Sequence, residues 1–177
     1  MTPARMAATA LAALFLVGLQ AGPSDAAPAV VTAADQTFLI SAHEGNLAEI
    51  AAGEDAGLNA TTACVKDVGA SLVEDHTRLD DALTALAGRL GVPLPDAPTP
   101  EQEQQLAAIR EHAGTAAYDR AWLAAQAAAH EETLALIDRE LDTGNNTEVR
   151  AAARDARPVV ETHLERVRGG ECHPAPA

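Results

Sequence analysis

Residues 60–90 read ATTACVKDVGASLVEDHTRLDDALTALAGRL, and their spacing decides the fold. Val65, Gly69, Leu72, His76, Leu79, Leu83, Leu86 and Leu90 follow one another in unbroken steps of four and three. Side chains three and four apart share one face of a helix, so this rhythm marks the core seam of a helix in a bundle. One member is out of character: a histidine stands where the pattern asks for an aliphatic side chain.

The same rhythm recurs on either side. Upstream, Leu39, His43, Asn46 and Ile50 form a seam beside a second inward stripe of Phe38, Ala42, Gly45 and Glu49. They define a first long helix expected over 33–56, with Gly57 at the position after its end. Asn59 or Thr61 is placed to cap the second, over 60–90. Downstream, Leu123, Ala127, His130, Leu134, Ile137 and Leu141 mark a third long helix over 115–142. Val149, Ala153, Ala156, Val160, His163 and Val167 mark a fourth over 147–168, in which Pro158 is expected to introduce a kink. Gly144-Asn145-Asn146 reads as the turn between them. The stretch Gly91-Val92-Pro93-Leu94-Pro95-Asp96-Ala97-Pro98 cannot be helical, because its prolines remove donors and restrict their neighbours. Thr99-Pro100-Glu101-Gln102 is a capping box with proline at the first helical position, so a short helix is expected over 99–113.

Composition agrees with an all-α reading. Of 177 residues, 47% are apolar but only 2% aromatic, so the core must be built from Ala, Leu, Val and Ile. Close-packed helices suit that set better than strands, which favour aromatic and β-branched side chains. The net charge is −14 and Lys66 is the one lysine, which excludes a nucleic-acid partner. No protein partner can be named from the sequence.

Arg5 precedes an apolar run, Met6 to Val17, too short for the ~20 residues that span a bilayer. Ser24-Asp25-Ala26 places small residues where a signal peptidase reads. Residues 1–26 are therefore expected to be a cleaved signal peptide and 27–177 a single exported domain, secreted or in the cell envelope. No membrane span is expected after cleavage. An oxidising compartment permits a Cys64–Cys172 disulfide. That pair also bears on topology. In an up-down-up-down bundle Cys64 and Cys172 would lie at opposite ends. The four residues after Arg168 cannot cover the difference at about 3.5 Å each. If the segment Gly91 to Gly114 runs back along the bundle, the fourth helix ends level with Cys64. The expected architecture is therefore a ferritin-like four-helix bundle with a long crossover, containing a short helix, between the second and third long helices.

The histidines carry the functional signal. His43, His76, His130 and His163 each occupy a seam, one on every long helix. Counted from turns near Leu58 and Asn145, all four fall near mid-length, within one helical turn. Neutral imidazole is the commonest protein ligand for zinc and copper, and bundle cores are where facing helices build such sites. The metal candidates are thus His76, His130, His163, His43 and Glu49, for one divalent transition ion, zinc or copper. Glu44, Asp75 and Glu131 are candidates for the rim. The other reading is a metal-free polar layer, in which the histidines satisfy one another with Asn46, Glu49 and Asp80. Carboxylate-bridged di-iron bundles use Glu-x-x-His, but the residues three before His76, His130 and His163 are Val73, Ala127 and Val160. No nucleophile–base arrangement or phosphate loop is present, and no catalytic residue is assigned. His112 and His173 are expected at the surface.

Several of these residues also form a family pattern. Asp35-x-x-Phe38-Leu39-x-x-Ala42, Asn46-Leu47-x-Glu49-Ile50, Val65-Lys66 and Asp75-His76 are followed by Leu90-Gly91-Val92-x-Leu94-Pro95. Then come Tyr118-Asp119-x-x-Trp122, His130, and Pro158 with His163-Leu164. Over about Asp35 to Val167 the chain resembles the exported bacterial proteins grouped as domain of unknown function 4142, often labelled outer-membrane proteins. The resemblance implies a ferritin-like bundle and an exported location, and brings no activity. His43 is outside that pattern. Nothing in the chain reads as the alternating strands of a membrane barrel.

Overall fold

A computed structural model of the chain describes residues 30–173; the segment read as a signal peptide lies outside them. Five α-helices follow in order: α1 (Ala33–Asn59), α2 (Ala63–Leu90), α3 (Pro100–Arg110), α4 (Ala116–Thr143) and α5 (Thr147–Val167). A short 3₁₀ turn, Arg168–Gly170, ends the described chain, and no strand occurs among the described residues.

The helix starts are fixed by local chemistry. Thr32 and Asp35 form a reciprocal capping box on α1, and Thr99 and Gln102 form the expected one on α3. Asn146 caps α5 by accepting from the Glu148 and Val149 amides at 3.0 and 3.2 Å. The cap of α2 is Thr62 rather than Asn59 or Thr61. Thr61 is engaged elsewhere, donating from its amide and its hydroxyl to Asp119, each at 2.8 Å.

One helix end departs from the sequence expectation. α1 does not stop at Gly57 but runs on through it to Asn59, whose carbonyl accepts from the Gly114 amide at 2.9 Å. A glycine permits a helix end but does not force one where the next turn has partners. α5 runs unbroken through Pro158 as a single element. The carbonyl this proline strands belongs to Arg154, and both residues lie on the exposed face, where water can satisfy it.

Three long-range ties establish the topology. Asp35, at the start of α1, accepts from the Asn145 and Asn146 amides at the α4–α5 turn, at 3.0 and 2.9 Å. Asp119, at the start of α4, binds the α2 cap at Thr61 and Thr62. Cys172, just beyond α5, is joined to Cys64 at the start of α2, with Cα atoms 6.2 Å apart. Helices α2 and α4 therefore start at the same end and run parallel, and residues 91–115 with α3 carry the chain back along the bundle. This is the ferritin-like crossover topology. An up-down-up-down connection is incompatible with all three ties.

The core has two parts. One lies toward the disulfide end and contains Val65, Val68, Leu72, Tyr118, Trp122 and Leu123. The other lies toward the Asn146 turn and contains Phe38, Leu39, Leu83, Leu86, Ile137 and Val160. Between them is a layer of buried polar side chains.

Candidate metal centre

That layer is made by His76 of α2, His130 of α4 and His163 of α5. All three are buried, with ring centroids 5.3–5.7 Å apart in a nearly equilateral triangle. Each sits on its helix seam, with aliphatic residues a turn above and below, so burial of the seam carries the imidazole inward.

The hydrogen bonds assign the ring protons. His76 Nδ1 lies 2.9 Å from Asn46 Oδ1, His130 Nδ1 2.8 Å from the Gln126 carbonyl, and His163 Nε2 2.8 Å from Asp75 Oδ2. All three partners are acceptors, so each of these nitrogens carries the hydrogen and donates it. The other nitrogen of each ring is then a bare lone pair. These are His76 Nε2, His130 Nε2 and His163 Nδ1, and each is buried with no hydrogen-bond partner. Nitrogens of the three rings lie within 4.8 Å of one another. A zinc ion bound at about 2.0–2.1 Å brings its ligands within roughly 3.5 Å of one another, so modest side-chain rotations would close the triangle on one ion.

Electrostatics hold the rings neutral, the form that ligates. Burial, together with the neighbouring His130 and His163, keeps His76 well below the ordinary histidine range. Burial brings His130 down to about 4, and lowers His163 against the opposing pull of Asp75. Three lone pairs facing one dry space repel one another, and a cation removes both the repulsion and the unmet hydrogen-bonding capacity. The donors behind the rings are arranged as the outer partners of metal-bound histidines are, with an amide oxygen, a backbone carbonyl and a carboxylate fixing tautomer and orientation.

The remaining sequence candidates fall elsewhere. His43 is buried but stands apart from the triangle. Its Nδ1 is 2.7 Å from Asp80 Oδ1 and its Nε2 is 2.8 Å from the Pro95 carbonyl. Both nitrogens are engaged away from the triangle, and the ring clamps the crossover segment to α1 and α2 instead. The reason is register. Asn46 faces His76 across the α1–α2 pair, and His43 faces Asp80 one turn below. The pairs Asn46/His76 and His43/Asp80 are centred near residue 61, about three residues beyond a count centred at Leu58, as α1 extends through Gly57 to Asn59.

Glu49 lies against the outer side of His130, its Oε1 3.8 Å from Nδ1, and burial pushes its carboxyl up to about 8. The Gln126 side-chain amide, turned to donate, also reaches Glu49. Asp75 is the rim carboxylate that meets the centre, through His163. Glu131 is exposed and Glu44 half-buried, neither among the groups brought together. His112 is exposed, whereas His173 is half-buried, its ring 3.2 Å from the Arg168 carbonyl. Gln126 was not singled out by seam reading. Its signal was present, because a residue four before His130 stands directly beneath it on the same helix face.

The sequence profile of a domain of unknown function, DUF4142, matches residues 20–169. This chain belongs to the DUF4142 family. No curated protein matches it. Among solved structures, this DUF4142 chain is similar to a crystal structure of a DUF305 fragment from Deinococcus radiodurans. The TM-score is 0.66 at 16% identity, covering 78% of this chain and 95% of that one. At that identity the likeness shows a shared fold alone. No helix among the described residues of this DUF4142 protein is long and apolar enough to cross a membrane.

Proposed function

We propose that this protein is an exported, non-catalytic metal-binding bundle in which His76, His130 and His163 hold one divalent transition ion, zinc or copper. The observation that carries the reading is the set of three buried imidazole nitrogens, each without a partner, on rings whose other nitrogens are bonded outward. A metal-free polar layer would pair those nitrogens with one another or with Asn46 and Glu49. Here Asn46 is used on the outer side of His76, and Glu49 lies on the outer side of His130. Imidazole ligands suit zinc and copper, and the absence of Glu-x-x-His pairs disfavours a di-iron centre. A disulfide fits an oxidising compartment, and with export the role is metal handling or stress protection in the cell envelope.

The test uses protein purified without a histidine tag. An ion bound only by the folded state at a hundred times its Kd adds about 2.7 kcal/mol. Zinc or copper should therefore raise the Tm of the wild-type protein and leave that of the H76A/H130A/H163A protein unchanged. An unchanged wild-type Tm, together with equal metal uptake by the triple variant, would refute the reading.

A further inference from the structure

The three rings do not have equally decisive partners. His130 Nδ1 faces the Gln126 backbone carbonyl and His163 Nε2 faces the Asp75 carboxylate, at 2.8 Å each. A carbonyl and an ionised carboxylate can only accept, so each fixes a hydrogen on the ring nitrogen it meets. His76 Nδ1 instead faces the Asn46 side chain, and an amide carries an accepting oxygen on one side and a donating NH₂ on the other. With its amide turned over, Asn46 would donate to His76 Nδ1, and the ring hydrogen would have to sit on Nε2. That nitrogen is one of the three buried, unpartnered nitrogens of the triangle, and it would then offer no lone pair.

What turns the amide lies one contact farther out. Asn46 Nδ2 is 3.5 Å from Asp80 Oδ1, on α2 one turn along from His76. At that length the hydrogen bond itself is weak, and charge decides. A turned amide would present its oxygen to the carboxylate and replace an attraction by a repulsion. Water screens little of that difference, because Asn46 is 7% exposed and the Asp80 side chain 15%. The same Asp80 oxygen is steadied by His43, whose Nδ1 lies 2.7 Å away, and His43 is anchored on the Pro95 carbonyl at 2.8 Å. A run of polar contacts thus joins the crossover to the triangle through Pro95, His43, Asp80, Asn46 and His76.

We propose that Asp80 is a positioning residue of the histidine centre: by orienting the Asn46 amide it puts the ring hydrogen of His76 on Nδ1 and keeps Nε2 bare for a metal ion. The consequence for the ion rests on the metal reading above; the tautomer does not. His43 acts one contact farther away, by holding the carboxylate in place.

Nuclear magnetic resonance of the metal-free full chain, isotope-labelled at its histidine nitrogens, tests this directly. Protonated and bare ring nitrogens resonate far apart, and their couplings to the ring C–H hydrogens tell Nδ1 from Nε2. In the wild type His76 should carry its hydrogen on Nδ1. D80N, which keeps the size and removes the charge, should populate the Nε2-protonated form and bind zinc about tenfold or more weakly. The exchanged protein N46D/D80N should recover both the tautomer and the zinc affinity, because a carboxylate at position 46 can only accept from His76 Nδ1. A purely structural Asp80 would not be rescued by the exchange. The proposal is overturned if His76 carries its hydrogen on Nε2 in the wild type, if D80N leaves the tautomer unchanged, or if the exchange fails to restore it. A changed tautomer in D80N with unchanged zinc binding also overturns it, while leaving the metal reading intact. No zinc uptake by the wild type refutes the metal reading, and the tautomer then decides for or against Asp80 by itself.

Discussion

The half of the bundle between the histidines and the disulfide is held together differently from the half between the histidines and the Asn146 turn. In the first, Tyr118 and Trp122 are fully buried and their polar tips are bonded, to Asp55 at 2.6 Å and to the Ala52 carbonyl at 2.9 Å. Helices α1 and α2 approach so closely there that a Cβ on Gly53 would lie 2.5 Å from the Gly69 carbonyl oxygen. Asp119 ties α4 to the α2 cap, and Cys172 is joined to Cys64. The second half is aliphatic apart from Phe38, is tied by Asp35 to the α4–α5 turn, and contains a cavity of about 360 Å³ lined from α1, α2, α4 and α5. The histidines sit at the boundary.

The largest expected effect is loss of the covalent tie. The C64A/C172A protein should be less stable by roughly 4–5 kcal/mol, because the bridge joins residues 108 apart in sequence and restrains the unfolded chain. Denaturant titration measures this, and a loss below about 1 kcal/mol would mean the disulfide end is held by packing alone.

Next in size is a paired comparison of leucines. Leu72 is completely buried in the aromatic half, so L72A should cost about 4 kcal/mol. Leu83 borders the cavity and has fewer neighbours to lose, so L83A should cost about 2 kcal/mol. Equal losses would show that the two halves are packed alike.

The glycines sharpen the contrast further. G69A should destabilise by about 1–3 kcal/mol, since its Cβ would meet the Gly53 oxygen at 2.9 Å. G45A, with nothing within 4 Å of its Cβ, should stabilise by roughly 0.5–1 kcal/mol through helix propensity. Thermal unfolding of both variants checks the signs.

The smallest effect is a pH dependence at the Asn146 end. Glu140 is raised from 4.5 to about 7 by burial and by the neighbouring Asp35 carboxylate. The folded state thus favours its protonated form. Its contribution to stability is complete below pH 4.5 and is lost as pH rises toward about 7. E140Q should flatten stability in that window, and a wild-type profile that rises there with no change in E140Q would remove Glu140 as its cause.

Much of this molecule was legible in the linear chain. The four-three seams of α2, α4 and α5 were enough to place His76, His130 and His163 inward, because a buried helical face is a local periodic property. The capping box at Thr99 and the stop at Gly91 are local as well. The crossover was legible through the cysteines, since a cross-link within reach is compatible with one topology and not the other. What the chain could not show alone is the vertical register of α1 against α2. It depends on where α1 ends, and that end is decided by a tertiary contact, the Gly114 amide reaching the Asn59 carbonyl. One turn of register puts Asn46 rather than His43 opposite His76 and converts a candidate ligand into a clamp on the crossover. Ring tautomers are equally non-local, because they follow from acceptors on other turns and other helices. Seam position is written in the sequence; which nitrogen faces the centre, and which histidine reaches it, was decided only when the helices packed.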